Sequence, residues 1–116
     1  MIVIAKPQAE SIDRWLKVGG RLTVLSIVST PNGGSKFLLW SESQLAAALF
    51  PASDFNIADT TMPTLWSPKI DLNGYVELSP LEWQSDGFWE QFHDGDPNAL
   101  RTFERAREAM NLAMNP

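Results

Sequence analysis

His93 is the only histidine of the 116-residue chain, and it is the first place to look for chemistry. Glu90 and His93 form a Glu-x-x-His pair, which puts both side chains on one face of a helix, and Asp94 and Asp96 follow directly. Carboxylate-bridged metal sites use this spacing, but they use it twice and add further carboxylates. The pair occurs here once. A histidine at the end of a helix, next to the negative end of its dipole, explains it better than a metal ligand does.

Other catalytic patterns are incomplete. Asp94-Gly95-Asp96 lacks the spaced ligands and the final Glu of a calcium loop. The segment Pro31–Lys36 lacks the full phosphate-loop pattern and lies between two predicted strands. No Gly-x-Ser-x-Gly positions a serine nucleophile, and a chain without Cys has no thiolate nucleophile, thiolate metal site or disulfide. A glycosidase-type carboxylate pair such as Glu82 with Glu90 stays open, although a chain of this length rarely forms a deep sugar cleft. We therefore predict no catalytic residue, no metal, no cofactor and no enzymatic activity.

The elements that must position these residues include both strands and helices. Hydrophobic periodicity and β-branched residues predict strands at residues 2–5, Leu22–Val28, Lys36–Trp40, Asp54–Ala58, Met62–Trp66, Lys69–Leu72 and Tyr75–Leu78. The same reasoning predicts a helix of about ten residues that begins at Pro7, a helix at Leu45–Leu49, and a short helix or turn at Ser79–Glu82. Two further helices are predicted at Phe88–His93 and from about Pro97 to Met114. Residues 52–68 are the least readable part of the chain.

Local signals fix several of the boundaries. Gly19-Gly20 predicts the left-handed end of the first helix. Ser41 and Gln44 have the spacing of a capping box before the helix Leu45–Leu49. Asn73-Gly74 calls for a two-residue type I′ turn. Ser79 is the expected N-cap of the short helix that follows Pro80, and Asp94-Gly95 ends the helix Phe88–His93. Asp96 is the expected N-cap of the last helix, whose apolar stripe comprises Leu100, Phe103, Ala106, Met110 and Ala113, with Arg101 and Arg105 off it.

This order predicts an α+β fold: an antiparallel or mixed sheet built from two hairpins and the N-terminal strand, helices packed on one face, and a long C-terminal helix. An apolar fraction of 44% and a charged fraction of 20% suit one globular domain over residues 1–116. The apolar run at the N-terminus is too short for a signal peptide, and no apolar stretch is long enough for a membrane span. We expect a cytoplasmic protein that does not bind a membrane.

Charge is distributed unevenly along the chain. The formal net charge is −5, which disfavours binding to nucleic acid because that binding depends on Lys and Arg at phosphates. Residues 70–100 contain no Lys or Arg, and their acids are Asp71, Glu77, Glu82, Asp86, Glu90, Asp94 and Asp96. Such a surface favours a basic protein partner, since complementary fields accelerate encounter and select partners.

The same segment is rich in aromatic residues, among them Tyr75, Trp83, Phe88, Trp89 and Phe92. Aromatic anchors inside a charged rim are typical of protein interfaces. Aromatic residues at helical spacing can equally form a core, with Trp89 and Phe92 pointing inward and Trp83 under the hairpin. The predicted partner-binding residues are Glu77, Glu82, Trp83, Asp86, Trp89, Glu90, Asp94 and Asp96.

In these features the chain resembles the small acidic immunity proteins of bacteria, including those of contact-dependent inhibition systems. The resemblance is one of character across the whole chain, centred on Asp71–Asp96, and it includes no diagnostic motif. It implies an antitoxin-like protein that binds a cognate toxin domain, basic and of nuclease type, and occludes it with an acidic surface. The alternatives are a structural or adaptor domain, with a homodimer formed through an exposed strand of the second hairpin, and a small enzyme with a concave pocket around His93.

Overall fold

The computed structural model describes residues 1–7 and 14–114 of the chain. Within them lie the strands β1 (Ile2–Ala5), β2 (Arg21–Thr23), β3 (Ser26–Thr30), β4 (Gly34–Ser41), β5 (Ala46–Pro51), β6 (Phe55–Asp59), β7 (Trp66–Ile70) and β8 (Val76–Pro80), the helices α1 (Phe88–His93) and α2 (Pro97–Met114), and 3₁₀ helices at Ala52–Asp54 and Leu81–Gln84. The helix predicted from Pro7 falls mostly on residues 8–13, outside the described residues. Trp15–Lys17, at its expected end, are not helical.

The strands form two antiparallel sheets. One has the order β2-β1-β6 and the other the order β5-β4-β3-β8-β7. The α+β class, the two hairpins and the long C-terminal helix are confirmed. The N-terminal strand pairs with β2 and β6 in the smaller sheet, however, and does not join the sheet of the hairpins.

The predicted strand Leu22–Val28 is in fact two strands, and the chain changes sheets between them. The backbone N–H of Val24 donates to the Met1 carbonyl at 3.0 Å, and the N–H of the next residue, Leu25, donates to the Leu38 carbonyl of β4 at 2.9 Å. Both side chains are buried, Val24 between the two sheets and Leu25 under the helices. The run is uniformly apolar because it supplies two cores in succession.

The helix predicted at Leu45–Leu49 is wrong. These residues belong mainly to β5, which pairs with β4 so that Ala47 lies opposite Trp40 and Leu49 opposite Leu38. Ser41 does not cap a helix: its Oγ accepts from the Gln44 N–H at 3.1 Å within the turn that joins the two strands. Helix propensity is a weak preference, and pairing with the buried strand β4 outweighs it.

Two hydrophobic clusters lie on opposite faces of the large sheet. Alternate residues of β4 point to opposite sides, so Phe37 and Leu39 enter the cluster between the sheets while Leu38 enters the cluster under the helices. The first cluster also buries Met1, Val3, Ala5, Leu16, Val24 and Phe55. The second buries Leu25, Trp83, Phe88, Ala99, Phe103, Ala106 and Met110. The molecule is therefore layered as small sheet, large sheet and helices.

The hairpin between β7 and β8 differs from the predicted two-residue turn. Ile70 pairs with Val76, which leaves a loop of Asp71–Tyr75. Gly74 has φ +86°, but Asn73 does not share the positive φ that a type I′ turn requires. The loop is held by Asp71 Oδ1, which accepts from the backbone N–H groups of Asn73 at 2.8 Å and Tyr75 at 3.1 Å.

Of the two strands predicted within residues 52–68, one is present. The expected strand Asp54–Ala58 is found one residue later as β6. The expected edge strand Met62–Trp66 is wrong. The edge of the large sheet is β7, which begins at Trp66 and ends at Ile70, so it contains only the first two residues of the predicted strand Lys69–Leu72.

The helices of the C-terminal part confirm most of the helix boundaries and caps predicted from the sequence. Phe88–His93 and Pro97–Met114 are helical as predicted, and Asp96 Oδ2 caps the last helix by accepting from the Ala99 N–H at 2.9 Å. Of the expected stripe of α2, Phe103, Ala106 and Met110 are buried, whereas Leu100 and Ala113 are exposed and Ala99 is buried instead. Ser79 does not cap the short helix, which is a 3₁₀ helix with Pro80 in the capping position.

Candidate partner-binding groove

The predicted partner-binding carboxylates face solvent. Glu82, Asp86, Glu90 and Asp94 are exposed, and Glu77 and Asp96 are half-buried. Within residues 1–7 and 14–114 the one ion pair joins Glu104 to Arg107 of α2. None of the acids between residues 71 and 96 is therefore neutralised by an arginine of the last helix.

The two predicted tryptophan anchors have different environments. Trp83 is 1% exposed and stacks on Phe103 in the middle of an aromatic cluster, so its side chain is a core residue and does not reach a partner from this position. Trp89 is half-buried and meets Trp83 edge-on, with 5.6 Å between the ring centroids. Of the two, Trp89 is the one whose ring is available at the surface.

A groove of about 320 Å³ lies beside Trp89, on the helix side of the large sheet. Cross-strand register assembles its floor, since Leu38 lies opposite both Ser26 and Leu49, and Val28 lies opposite Glu77. Residues in register on neighbouring strands point to the same face. The lining comprises Ser26, Val28, Leu38, Ala47, Ala48, Leu49, Glu77, Trp89 and His93. The groove is thus mainly apolar, and Glu77 is its one carboxylate.

A second cavity of about 400 Å³ shares Ala47 and His93 with the groove. Leu45 and Leu100 lie along it and are 72% and 42% exposed. Leu49, on the groove side, is 47% exposed. The surface around His93 therefore presents several large aliphatic side chains that no residue described by the structure covers.

Glu77 is held by a partly buried polar network. Ser79 Oγ donates to Glu77 Oε2 at 2.5 Å, and Gln84 Nε2 lies 3.2 Å from the same Ser79 hydroxyl. Gln84 Nε2 also donates to the Ser67 carbonyl at 2.7 Å, and Ser79 is 1% exposed. The network holds the carboxylate at the groove in one arrangement, whereas the exposed acids of the segment, apart from Asp71, accept no such hydrogen bond.

The groove also contains groups that catalysis could use. It is the concave pocket at His93 that the enzyme alternative requires, and Ser26 and Glu77 line it as well. A serine nucleophile needs a hydrogen bond to its base. His93 instead contacts the rings of Trp89 and Phe92, at 6.2 Å and 5.4 Å between centroids, and no hydrogen bond joins it to Ser26 or Glu77.

No metal site accompanies the Glu90–His93 pair in the part of the chain that the structure describes. Nowhere in that part do three or more His, Asp or Glu side chains converge as a metal would require. Nor does any helix there have the length and apolar character that crossing a membrane demands.

The residues of the groove that lie on β5 are not predicted from the sequence. The helix that the sequence predicts at Leu45–Leu49 would not place Ala47, Ala48 and Leu49 in the wall of a groove on the sheet. A usable signal was present in β4, where Phe37, Leu38 and Leu39 are apolar in succession. A strand that is apolar on both faces is central, and a central strand requires a partner on each side.

Comparison with protein-family models, with curated proteins and with solved structures found no match to this chain. The fold defines an α+β protein with two antiparallel sheets and a helical layer.

Proposed function

We propose that the chain is an immunity or antitoxin-like protein that binds a cognate toxin domain, basic and of nuclease type, and neutralises it by occlusion. The observation that supports this most is the position of the unpaired acids. Glu82, Asp86, Glu90 and Asp94 are exposed on the elements around Trp89, which borders an apolar groove. Aromatic and aliphatic surface beside free carboxylates is the composition of a protein interface.

The acids and the apolar groove would have separate roles in binding. Exposed carboxylates raise the rate of encounter with a basic partner and add little affinity once the complex has formed. Trp89 and Leu49 would supply buried apolar area, at roughly 25 cal/mol for each Å² removed from water. Charge selects the partner and apolar burial retains it.

The mechanism would be occlusion combined with charge mimicry. A nuclease holds phosphates in a groove lined by Lys and Arg. Carboxylates placed in that groove satisfy the same cations, while the body of the immunity protein blocks access to substrate. No chemical step by this chain is needed.

The decisive experiment pairs this chain with the product of the neighbouring gene, which the proposal expects to contain a toxin domain. Co-expression should rescue growth, and purified components should form a complex whose association rate falls as salt rises, because ions screen the steering field. A double variant, Glu82→Gln with Glu90→Gln, should slow association about tenfold at low salt. The matched control is Glu42→Gln with Glu108→Gln, which removes the same charge from exposed residues outside the acidic segment and should have a much smaller effect.

Two results would count against the proposal. One is a complex whose association is indifferent to salt, and the other is an equal effect of the two double variants. An acidic partner would also contradict charge mimicry.

A homodimeric adaptor is the second candidate, and one feature favours it. β7 is a strand of the second hairpin and an edge of the large sheet, and its last residue, Ile70, is 71% exposed. Unpaired edges can join a second chain, although Pro68 within β7 removes one backbone donor. Sedimentation of the isolated protein separates the candidates, since a tight dimer without a heterologous partner would favour the adaptor.

A further inference from the structure

We propose that the groove beside Trp89 receives one cationic side chain, an arginine or a lysine, of the toxin partner. Its aliphatic stem would lie on Val28, Leu49 and Trp89, and its charge would meet Glu77. This inference rests on the proposed function, because it assigns the chemistry of the contact at the centre of the same surface.

The size and walls of the groove suit such a side chain. At about 320 Å³ it lies at the small end of ligand pockets, which suits one inserted side chain better than a large ligand. Long cationic side chains bury their methylene stems on apolar surface and keep the charged end at a polar group. The Trp89 ring at the groove edge can also attract a cation through its π face.

Glu77 makes the groove selective for charge. Once a partner covers the groove, the half-buried carboxylate loses water, and an apolar side chain would leave its negative charge uncompensated, with only the Ser79 hydroxyl donating to it. A cation compensates that charge. Because the Ser79 hydroxyl, itself bonded by Gln84 Nε2, already donates to the carboxylate, little side-chain freedom is lost when the cation binds.

Two lysines of the chain itself share the sheet face with Glu77. Lys69 lies opposite Glu77 on β7, and Lys36 lies opposite Val28, two strands away from Glu77. Both lysines are exposed, and neither comes within ion-pair distance of the carboxylate. Glu77 is therefore free to accept an external cation, with Lys69 as a weak competitor. The ring of His93 forms another part of the wall.

The test titrates the full chain with short capped peptides of the form Gly-X-Gly and monitors the protein's signals by NMR. With arginine at X, the backbone signals of Val28 and Leu49 and the Trp89 indole signal should shift in a saturable way. With citrulline, a neutral analogue of the same shape, binding should be about tenfold weaker. The peptide with lysine at X should likewise bind more tightly than the peptide with norleucine, its neutral analogue. Glu77→Gln should reduce the affinity for the arginine peptide to that for citrulline, and Lys69→Gln should leave it unchanged or raise it.

The matched control is Glu108→Gln, which removes one exposed acid from α2 outside the groove lining and should retain binding. Equal binding of arginine and citrulline, or equal losses in Glu77→Gln and Glu108→Gln, would overturn the inference. The inference would also be overturned by a toxin complex that forms normally with Glu77→Gln and leaves the groove empty. That result would leave the proposed function standing. Peptide binding without any toxin partner would instead keep the groove assignment and remove the proposed function.

Discussion

The ring of Trp83 stacks on the ring of Phe103, with 4.9 Å between centroids and 16° between the planes. Trp83 lies in the 3₁₀ helix Leu81–Gln84, and Phe103 lies in α2. The contact ties the acidic segment to the long helix and so fixes the position of the neighbouring Trp89, whose ring meets both Trp83 and Phe103.

Trp83→Ala should lower the free energy of unfolding by about 3–5 kcal/mol, because it removes a large side chain from a closed core. Trp83→Phe should cost clearly less, since the buried Trp83 Nε1 has no hydrogen-bond partner to lose. Urea unfolding followed by circular dichroism measures both. Tyr75→Ala, at a side chain that is 47% exposed, is the control and should change stability by about 0.5 kcal/mol at most. Similar losses at the two positions would contradict the assignment of Trp83 to the core.

Asp96→Ala should destabilise the protein by about 1 kcal/mol, because the carboxylate accepts from the Ala99 N–H, which has no acceptor within the helix at the start of α2. Asp96→Asn should keep most of that stability, since the amide oxygen can accept the same hydrogen bond. Thermal unfolding of the two variants beside Asp94→Ala checks this. Asp94 is exposed and its side chain makes no described hydrogen bond, so a loss at Asp94 as large as at Asp96 would rule out a capping role.

The parts of the fold that could be predicted from sequence are those that local chemistry determines. Asp96-Pro97 has the residue types of a helix start, and the structure places α2 there. The N-terminal strand and the β3–β4 hairpin follow in the same way from β-branched residues and the turn Pro31–Gly34. In each case neighbours in the chain supply the deciding interaction.

The parts that could not be predicted depend on distant residues. Ala46–Leu49 has high helix propensity, yet it is a strand because β4 offers it a ladder of hydrogen bonds. The exchange of sheets at Val24-Leu25 is invisible in a uniformly apolar run. Trp83 and Trp89 differ little as sequence positions, and both rings contact Phe103 of α2, yet Trp83 is buried in the core and Trp89 borders the groove.

Leu45→Asn should stabilise the protein, because Leu45 has φ +50° and a branched aliphatic side chain is disfavoured in that left-handed conformation. Asn tolerates it better, and a gain of about 0.5–1 kcal/mol in the free energy of unfolding is expected. Leu45→Gly should show the same direction. The control is Leu72→Asn, an equally drastic surface change at a residue without a positive φ, which should leave stability within about 0.5 kcal/mol. If the two asparagine variants respond alike, relief of backbone strain is not the cause.

Asp59 should make stability sensitive to acid. The Thr61 backbone N–H donates to Asp59 Oδ1 at 2.8 Å. This hydrogen bond, then one from the Thr61 side chain, and smaller contributions from the charged N-terminus and Arg21 hold the pKa of Asp59 below its usual range. A carboxyl whose pKa is lower in the folded state contributes stability above its unfolded pKa. That contribution disappears as pH falls through the folded pKa.

Asp59→Ala should therefore be less stable than the parent protein near neutral pH, and the difference should shrink below about pH 4, where the unfolded carboxyl takes up its proton. Denaturant unfolding at a series of pH values measures this. Thr61→Pro removes the donor and should raise the pKa of Asp59 in an NMR titration, whereas Thr61→Ala keeps the backbone N–H and should raise it less. A stability difference that does not change with pH would show that the hydrogen bond to Thr61 has no preference for the ionised carboxylate.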